Sequence, residues 1–306
     1  MNGPQLPDAR GELSATVLDA LLGGPWSSPP LDGHDPYGDD LQLALHPLYE
    51  PHYRGFEGVP DDREWDPGLL ALRRPMEQRF LQALRTSVPP HRDAEQALGD
   101  LLVEPAGHDD TSLSHHLHRD GEVWQFREYA LVAIEFDKFG AGRADEMHAR
   151  LYADLMRDVG LETPYGHYLH TAPAEALATV NLMSLFGLHR ALRGALVGHF
   201  AAVEVTSSPS SRRLAMGLRR LDAGAAAQRF YDEHVEADAV HEQVVRHEVV
   251  GGLLTDEPHR ERDIVFGIHS TGFLEDRLAV CLLKAWHQQH SALRVPLSKA
   301  EGGRNS

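Results

Sequence analysis

Cysteine is almost missing from this chain: one residue, Cys281, in 306. No intrachain disulfide can form, so a secreted fold stapled by disulfides is excluded and a reducing, cytoplasmic setting is expected. Long apolar runs are missing too. None approaches the roughly 20 residues that span a bilayer. The stretch MNGPQLPDARGELSATVLDALLGG has no basic region followed by an apolar core, so no signal peptide is expected. Basic residues are the third shortage, with 29 Lys and Arg against 46 Asp and Glu, a formal net charge of −17. Such a surface repels phosphate backbones and anionic lipid, so neither nucleic acid nor membrane is an expected partner. Alternating β-branched runs between turn residues are nearly absent, which argues against strands.

Several catalytic motifs are absent as well. There is no Walker loop, no GxSxG elbow and no CxxC. The zinc-protease pattern HExxH fails at both His241-Glu242 and His247-Glu248, because neither has a second His at the required spacing. GAGRAD lacks the third glycine of a dinucleotide-binding loop, and no strand precedes it.

What is present is helical periodicity. Residues 1–35, rich in Gly, Pro and Ser, read as an irregular arm with one short helix. Residues 36–297 read as a single helical-bundle domain, and 298–306 as a disordered tail. Within the domain the pattern predicts helices over Asp40–Tyr53, with two prolines as breaks, and Asp66–Thr86, with a kink at Pro75. Further helices are expected over Asp93–Leu102, Gly121–Phe139 and Asp145–Gly160, the last with Gly160 as C-cap. Pro173–Glu204 reads as two helices or one bent one, and Ser210–Leu221 follows a turn at Ser207-Ser208-Pro209. Ala225–Leu254 and Glu257–Ser291 complete the set. Short connections favour one all-α bundle.

Twenty histidines stand against the one cysteine. His234, Asp238 and His241, spaced i, i+4, i+7, fall within about 60° of one another on a helix. Their stripe is shared by apolar Phe230, Ala237, Val244 and Val245, so the triad points inward, where a carboxylate needs a compensating cation. The alternative is a solvated histidine-rich face with a local His–Asp pair. Glu204 follows an apolar run and shares its face with Leu182, Phe186, Val197 and Phe200. A buried Glu there needs a partner; otherwise it is a helix end emerging into solvent. His148 lies on a face with Leu151, Tyr152, Leu155 and Val159, and Asp145 sits one turn before it, as a shared ligand or as a helix N-cap. Imidazole and carboxylate donors suit Fe, Zn, Mn, Ni or Cu alike.

The triad, preceded thirty residues upstream by Glu204, resembles the haem-oxygenase-like di-iron oxidases, also called iron-containing redox enzymes. The resemblance extends from about Asp39 to Leu293. It takes in LQLALHPLYEPHYRGFEGV, the Gly-rich turn with its later histidine (FGAGRADEMH), and ATVNLMSLFGLHRALRGALVGHFAAVE. It implies a haem-oxygenase-like all-α helical bundle that binds Fe(II), one or two ions per chain, and uses O2 as co-substrate. Family reactions include N-oxygenation, oxidative C–C cleavage and fatty-acid decarboxylation. His148, Glu204, His234, Asp238 and His241 would be the ligands, with Asp238 or Glu204 able to bridge.

Two departures are visible. The family typically carries a Glu immediately before the aromatic, Gly-rich turn, where this chain has Lys138. An upstream helical stretch with a further carboxylate is missing, since Gln125–Tyr129 runs straight into Ala130–Ile134. Glu135 and Asp145 are the substitutes to consider; Glu128 lies off the face. The leading expectation is a non-haem iron, O2-dependent oxidoreductase acting on a small organic substrate, amino-acid-like or fatty-acid-like. The competing one is a catalytically degenerate bundle that binds a metabolite or partner and keeps a remnant metal site. Haem held by one axial His is a third, opposed by the carboxylates on the same faces. A homodimer is compatible with all three.

Overall fold

A computed structural model of the protein describes residues 35–56, 71–88 and 130–295, apart from Val132, Glu135 and Tyr165. The expectations for residues 1–34, for the helix Asp93–Leu102, for the first part of Gly121–Phe139 and for the tail at 298–306 lie outside the described residues. All regular structure among the described residues is helical. The helices are α1 (Asp39–Phe56), α2 (Arg73–Ser87), α3 (helical residues within 130–138), α4 (His148–Asp158) and α5 (Ala174–Leu188). They continue as α6 (Arg193–Arg220), α7 (Ala225–Val244), α8 (Gly252–Asp256) and α9 (Glu261–His287). Between α7 and α8 the chain does not leave the helix but widens into a π-helical segment, Val245–Gly251. Among the described residues no helix is long and apolar enough to cross a membrane.

The chain divides into two compact units. The first holds α1, α2, α5 and the part of α9 from His269 onward. Leu41, Ala44, Leu45, Leu48 and Tyr49 of α1 are buried, as are Phe80 and Leu84 of α2 and Leu182, Leu185 and Phe186 of α5. A polar seam joins α1 to α5. Asn181 Nδ2 donates to the Gln42 carbonyl oxygen and to Gln42 Oε1, both at 2.9 Å, and Asn181 Oδ1 lies 3.0 Å from His46 Nδ1. Pro47 and Pro51 do not break α1, contrary to expectation. The apolar face buried on both sides of Pro47 outweighs the lost helical hydrogen bonds. Pro75 lies in the first turn of α2, where its missing N–H has no helical partner to lose.

The second unit holds α3, α4, α6, α7, the π segment, α8 and the start of α9. Its core is Ile134, Ala201, Val245, Val250, Leu253, Ile264 and Val265. Here α6 and α9 cross almost backbone to backbone. A Cβ on Gly198 would strike the Ile264 carbonyl, and one on Gly267 would strike that of Ala195. The expected break at Ser207-Ser208-Pro209 is absent, and α6 runs through it for 28 residues. Pro209 forfeits the hydrogen bond to the Val205 carbonyl, but the flanks are anchored. Glu204 and Ser211 are buried, and Ser208 Oγ donates to the Val235 carbonyl of α7 at 3.2 Å.

The Gly-rich turn after α3 is built from three successive left-handed residues, Gly140 (φ 79°), Ala141 (φ 51°) and Gly142 (φ 87°). Gly140 also lies so close to Met147 N and the Glu146 carbonyl carbon (2.8 and 2.9 Å from an added Cβ) that no side chain fits. This reversal lays α4 beside the site that the end of α3 enters. At its far end α4 closes as expected on Gly160, with Leu161 N–H on the Met156 carbonyl at 2.7 Å and Gly160 N–H on the Arg157 carbonyl at 3.0 Å.

Candidate metal centre

The inward stripe of α7 is real. Asp238 is 0% exposed and His241 1%, and Glu204, in the middle of α6, is 4%. Glu204 is therefore not a helix end emerging into solvent. Ligand atoms of these three residues all lie within 4.8 Å of one another, and among the described residues they are the one such group of three. His241 Nδ1 stands 3.3 Å from Glu204 Oε2 and 3.6 Å from Asp238 Oδ1. Yet His241 Nδ1 and Glu204 Oε2 are both buried without a well-formed hydrogen bond. Facing, desolvated donors of this kind are costly unless a cation completes them.

The cation present is an ammonium. Lys138, at the end of α3, places Nζ 3.2 Å from Asp238 Oδ1 and 3.3 Å from Glu204 Oε1. The remaining groups orient the donors. Ser207 Oγ, one turn after Glu204 on α6, donates a short hydrogen bond to Asp238 Oδ2. Asp137 Oδ2 accepts from His241 Nε2 at 3.1 Å, which leaves Nδ1 to face the carboxylates. His234 Nδ1 donates to the Phe230 carbonyl at 2.7 Å, which leaves its Nε2 free. The His234 ring packs at 4.4 Å between centroids against both Phe230 and His148, and His148 Nδ1 is buried without a hydrogen bond.

The electrostatics follow from this crowding. Burial works against charge on Asp238, but the adjacent His241 imidazole, the hydrogen bond from Ser207 and the Lys138 charge bring its pKa down to about 2. Burial also opposes a charged His241, and Asp238, Glu204 and Asp137 outweigh it, raising that imidazole to about 9. His148 moves the other way, to about 4, through burial first and then repulsion from His234 and Lys138.

Of the residues singled out from sequence, Glu204, Asp238 and His241 form the compact set, and His148 and His234 stand beside it. Asp145 is exposed. Helix α4 starts at His148 instead of Asp145 and is preceded by an extended Met147 (φ −57°, ψ 131°), so no helical i, i+3 relation and no N-cap arises at Asp145. Asp145 contributes instead to the charge around Arg229, which Glu146 clasps at 2.6 and 2.5 Å. Glu135 lies outside the described residues. Two contributors escaped the sequence reading, Asp137 and Ser207. Ser207 carried a usable signal, since it lies one turn from Glu204 on the same helix face. Asp137 carried only its position next to Lys138.

A family model described as iron-containing redox enzyme matches residues 107–272, more than half of the chain. The chain belongs to the iron-containing redox enzyme family. Its fold is the all-α, haem-oxygenase-like helical bundle, and its role is a redox one with iron. The family match encloses Lys138, His148, Glu204 and the whole of α7. No curated protein matches the chain.

The donor set fits the family's metal. Two carboxylates, an imidazole with an unpaired buried nitrogen and two further imidazoles at its edge suit an iron ion, and no thiolate is needed. Glu204, Asp238 and His241 would hold it, with His148 and His234 next in line.

Proposed function

We propose that the protein is a non-haem iron, O2-dependent oxidoreductase acting on a small organic substrate of amino-acid or fatty-acid type. The observation that carries this reading is the pair of buried atoms, His241 Nδ1 and Glu204 Oε2, that face each other at 3.3 Å without a hydrogen bond beside a fully buried Asp238. Bound ferrous iron would supply the electrons that dioxygen requires. The chain's own part is to hold and insulate. Asp137 fixes the His241 ring and Ser207 fixes the Asp238 carboxylate. The apolar core formed by Ile134, Ala201 and Val245 keeps bulk water away.

One observation favours the competing reading, a degenerate bundle with a remnant site: the Lys138 ammonium already pairs with one oxygen of each carboxylate. The two readings part on one experiment. Protein loaded anaerobically with Fe(II) is mixed with O2, alongside Asp238→Ala. An intact enzyme binds iron and consumes O2, and the variant binds none while its helical circular dichroism persists. Iron content unchanged by Asp238→Ala, with no O2 uptake by either form, would leave the degenerate reading standing.

A further inference from the structure

The geometry points to a division of the centre into two cation positions, one of them permanently held by the Lys138 ammonium, so that the chain takes a single divalent ion. This rests on the metal-centre reading and deepens it. The two carboxylates are used unequally. Glu204 Oε1 and Asp238 Oδ1 turn to Lys138 Nζ, at 3.3 and 3.2 Å. The second Asp238 oxygen is occupied by Ser207. What is left without a well-formed hydrogen bond is the facing pair Glu204 Oε2 and, 3.3 Å away, His241 Nδ1. Ammonium and orphaned donors therefore lie on opposite oxygens of the same Glu204 carboxylate, as two cations lie on a bridging carboxylate.

Formal charge points the same way. Two buried carboxylates balance the ammonium and half of one divalent ion, leaving a single excess positive charge. A second divalent ion would leave three, with these two the buried carboxylates of the centre among the described residues, and uncompensated charge in such a place is strongly disfavoured. Lys138 is itself 27% exposed along its side chain, so its stem reaches in from the surface and its head group alone takes the inner position. A side chain tethered in this way competes at a fixed and high local concentration, which a second ion in solution has to overcome.

The test uses Co(II) under anaerobic conditions. Its visible absorption reports stoichiometry and coordination without any turnover. The parent is compared with Lys138→Met, which removes the charge at similar length, and Lys138→Arg, which keeps it. The parent and Lys138→Arg are expected to take one ion per chain. Lys138→Met should bind its first ion at least tenfold more tightly and approach two ions per chain, while its metal-free form melts lower than the parent. Two ions in the parent would overturn the proposal, and this measurement holds even if Lys138→Met fails to fold. Lys138→Met with the parent's stoichiometry and affinity would overturn it while leaving the metal reading intact. No ion in the parent but one in Lys138→Met would also overturn it, since the ammonium would then block the whole centre. No ion in any form would overturn this proposal and the metal reading together.

Discussion

In the metal-free protein, stability should fall as the pH rises from neutrality through 9, and His241 should be the cause. Its folded-state pKa is raised from 6.5 to about 9, because the carboxylates of Asp238, Glu204 and Asp137 outweigh the cost of burial. A group held protonated in this way contributes stability that is complete below its unfolded value, near 6.5, and lost as the pH passes its folded value. At 1.36 kcal/mol per factor of ten in proton affinity, a rise from 6.5 to about 9 amounts to about 3 kcal/mol. In a chain of this size that is a melting-temperature decrease of roughly 5 °C. The window is a clean one. Asp238, with a pKa of about 2, is ionised throughout it, and His148 and His199, both near 4, are neutral throughout. Scanning calorimetry of chelator-treated protein from pH 6.5 to 9.5, beside His241→Gln, measures the effect. The parent should lose stability over this range, and the variant should start lower and stay nearly flat. Parallel curves would refute the charged, carboxylate-clasped His241. Bound metal should remove the falling limb, because it holds the ring deprotonated, and metal affinity should rise with pH.

Glu204→Gln should weaken metal binding and also destabilise the metal-free fold, by about 2 kcal/mol in chemical denaturation. It deletes one of the two carboxylates paired with Lys138, and the loss is discounted because Lys138 is partly exposed and keeps Asp238. A gain in metal-free stability would show that the Glu204 charge has no partner. Gly198→Ala should cost about 3 kcal/mol, because its Cβ meets the Ile264 backbone and the two helices must part. The control Gly187→Ala, with no atom within 4 Å of the new Cβ, should gain up to about 1 kcal/mol from helix propensity.

The sequence revealed most where one helix carried the whole pattern. His234, Asp238 and His241 are separated by single turns, so their shared direction followed from helix geometry and the apolar residues around them showed that it was inward. Glu204 was legible for the same reason. What sequence could not supply was the partner across a gap. That the Lys138 ammonium reaches both carboxylates depends on the reversal at Gly140–Gly142, and that Asp137 holds the far nitrogen of His241 depends on the docking of α3 against α7. Local rules also misled where packing overrode them. Pro209 was read as the end of a helix, because a proline costs a backbone hydrogen bond. Anchors on either side, Glu204 to Lys138 and Ser208 to Val235 before it and the buried Ser211 after it, carry α6 straight through. Asp145 was read as a helix N-cap, the alternative to a shared ligand, and α4 begins three residues later with Met147 in the cap position.

The π-helical segment Val245–Gly251 follows His241 almost at once. A π turn closes on the fifth residue instead of the fourth, so it houses one residue more than the α turn it replaces. The stretches on either side answer to different neighbours. Upstream, the phase of the helix is set by the residues that face the centre. Downstream, it is set by Leu253 in the core. Loss of one residue from this segment would let the ladder close as an ordinary α-helix with both stretches still in phase, whereas forcing the same residues into an α-helix would turn one stretch by about 100° relative to the other. The wide turn thus absorbs one residue and uncouples chain length from rotation at this seam.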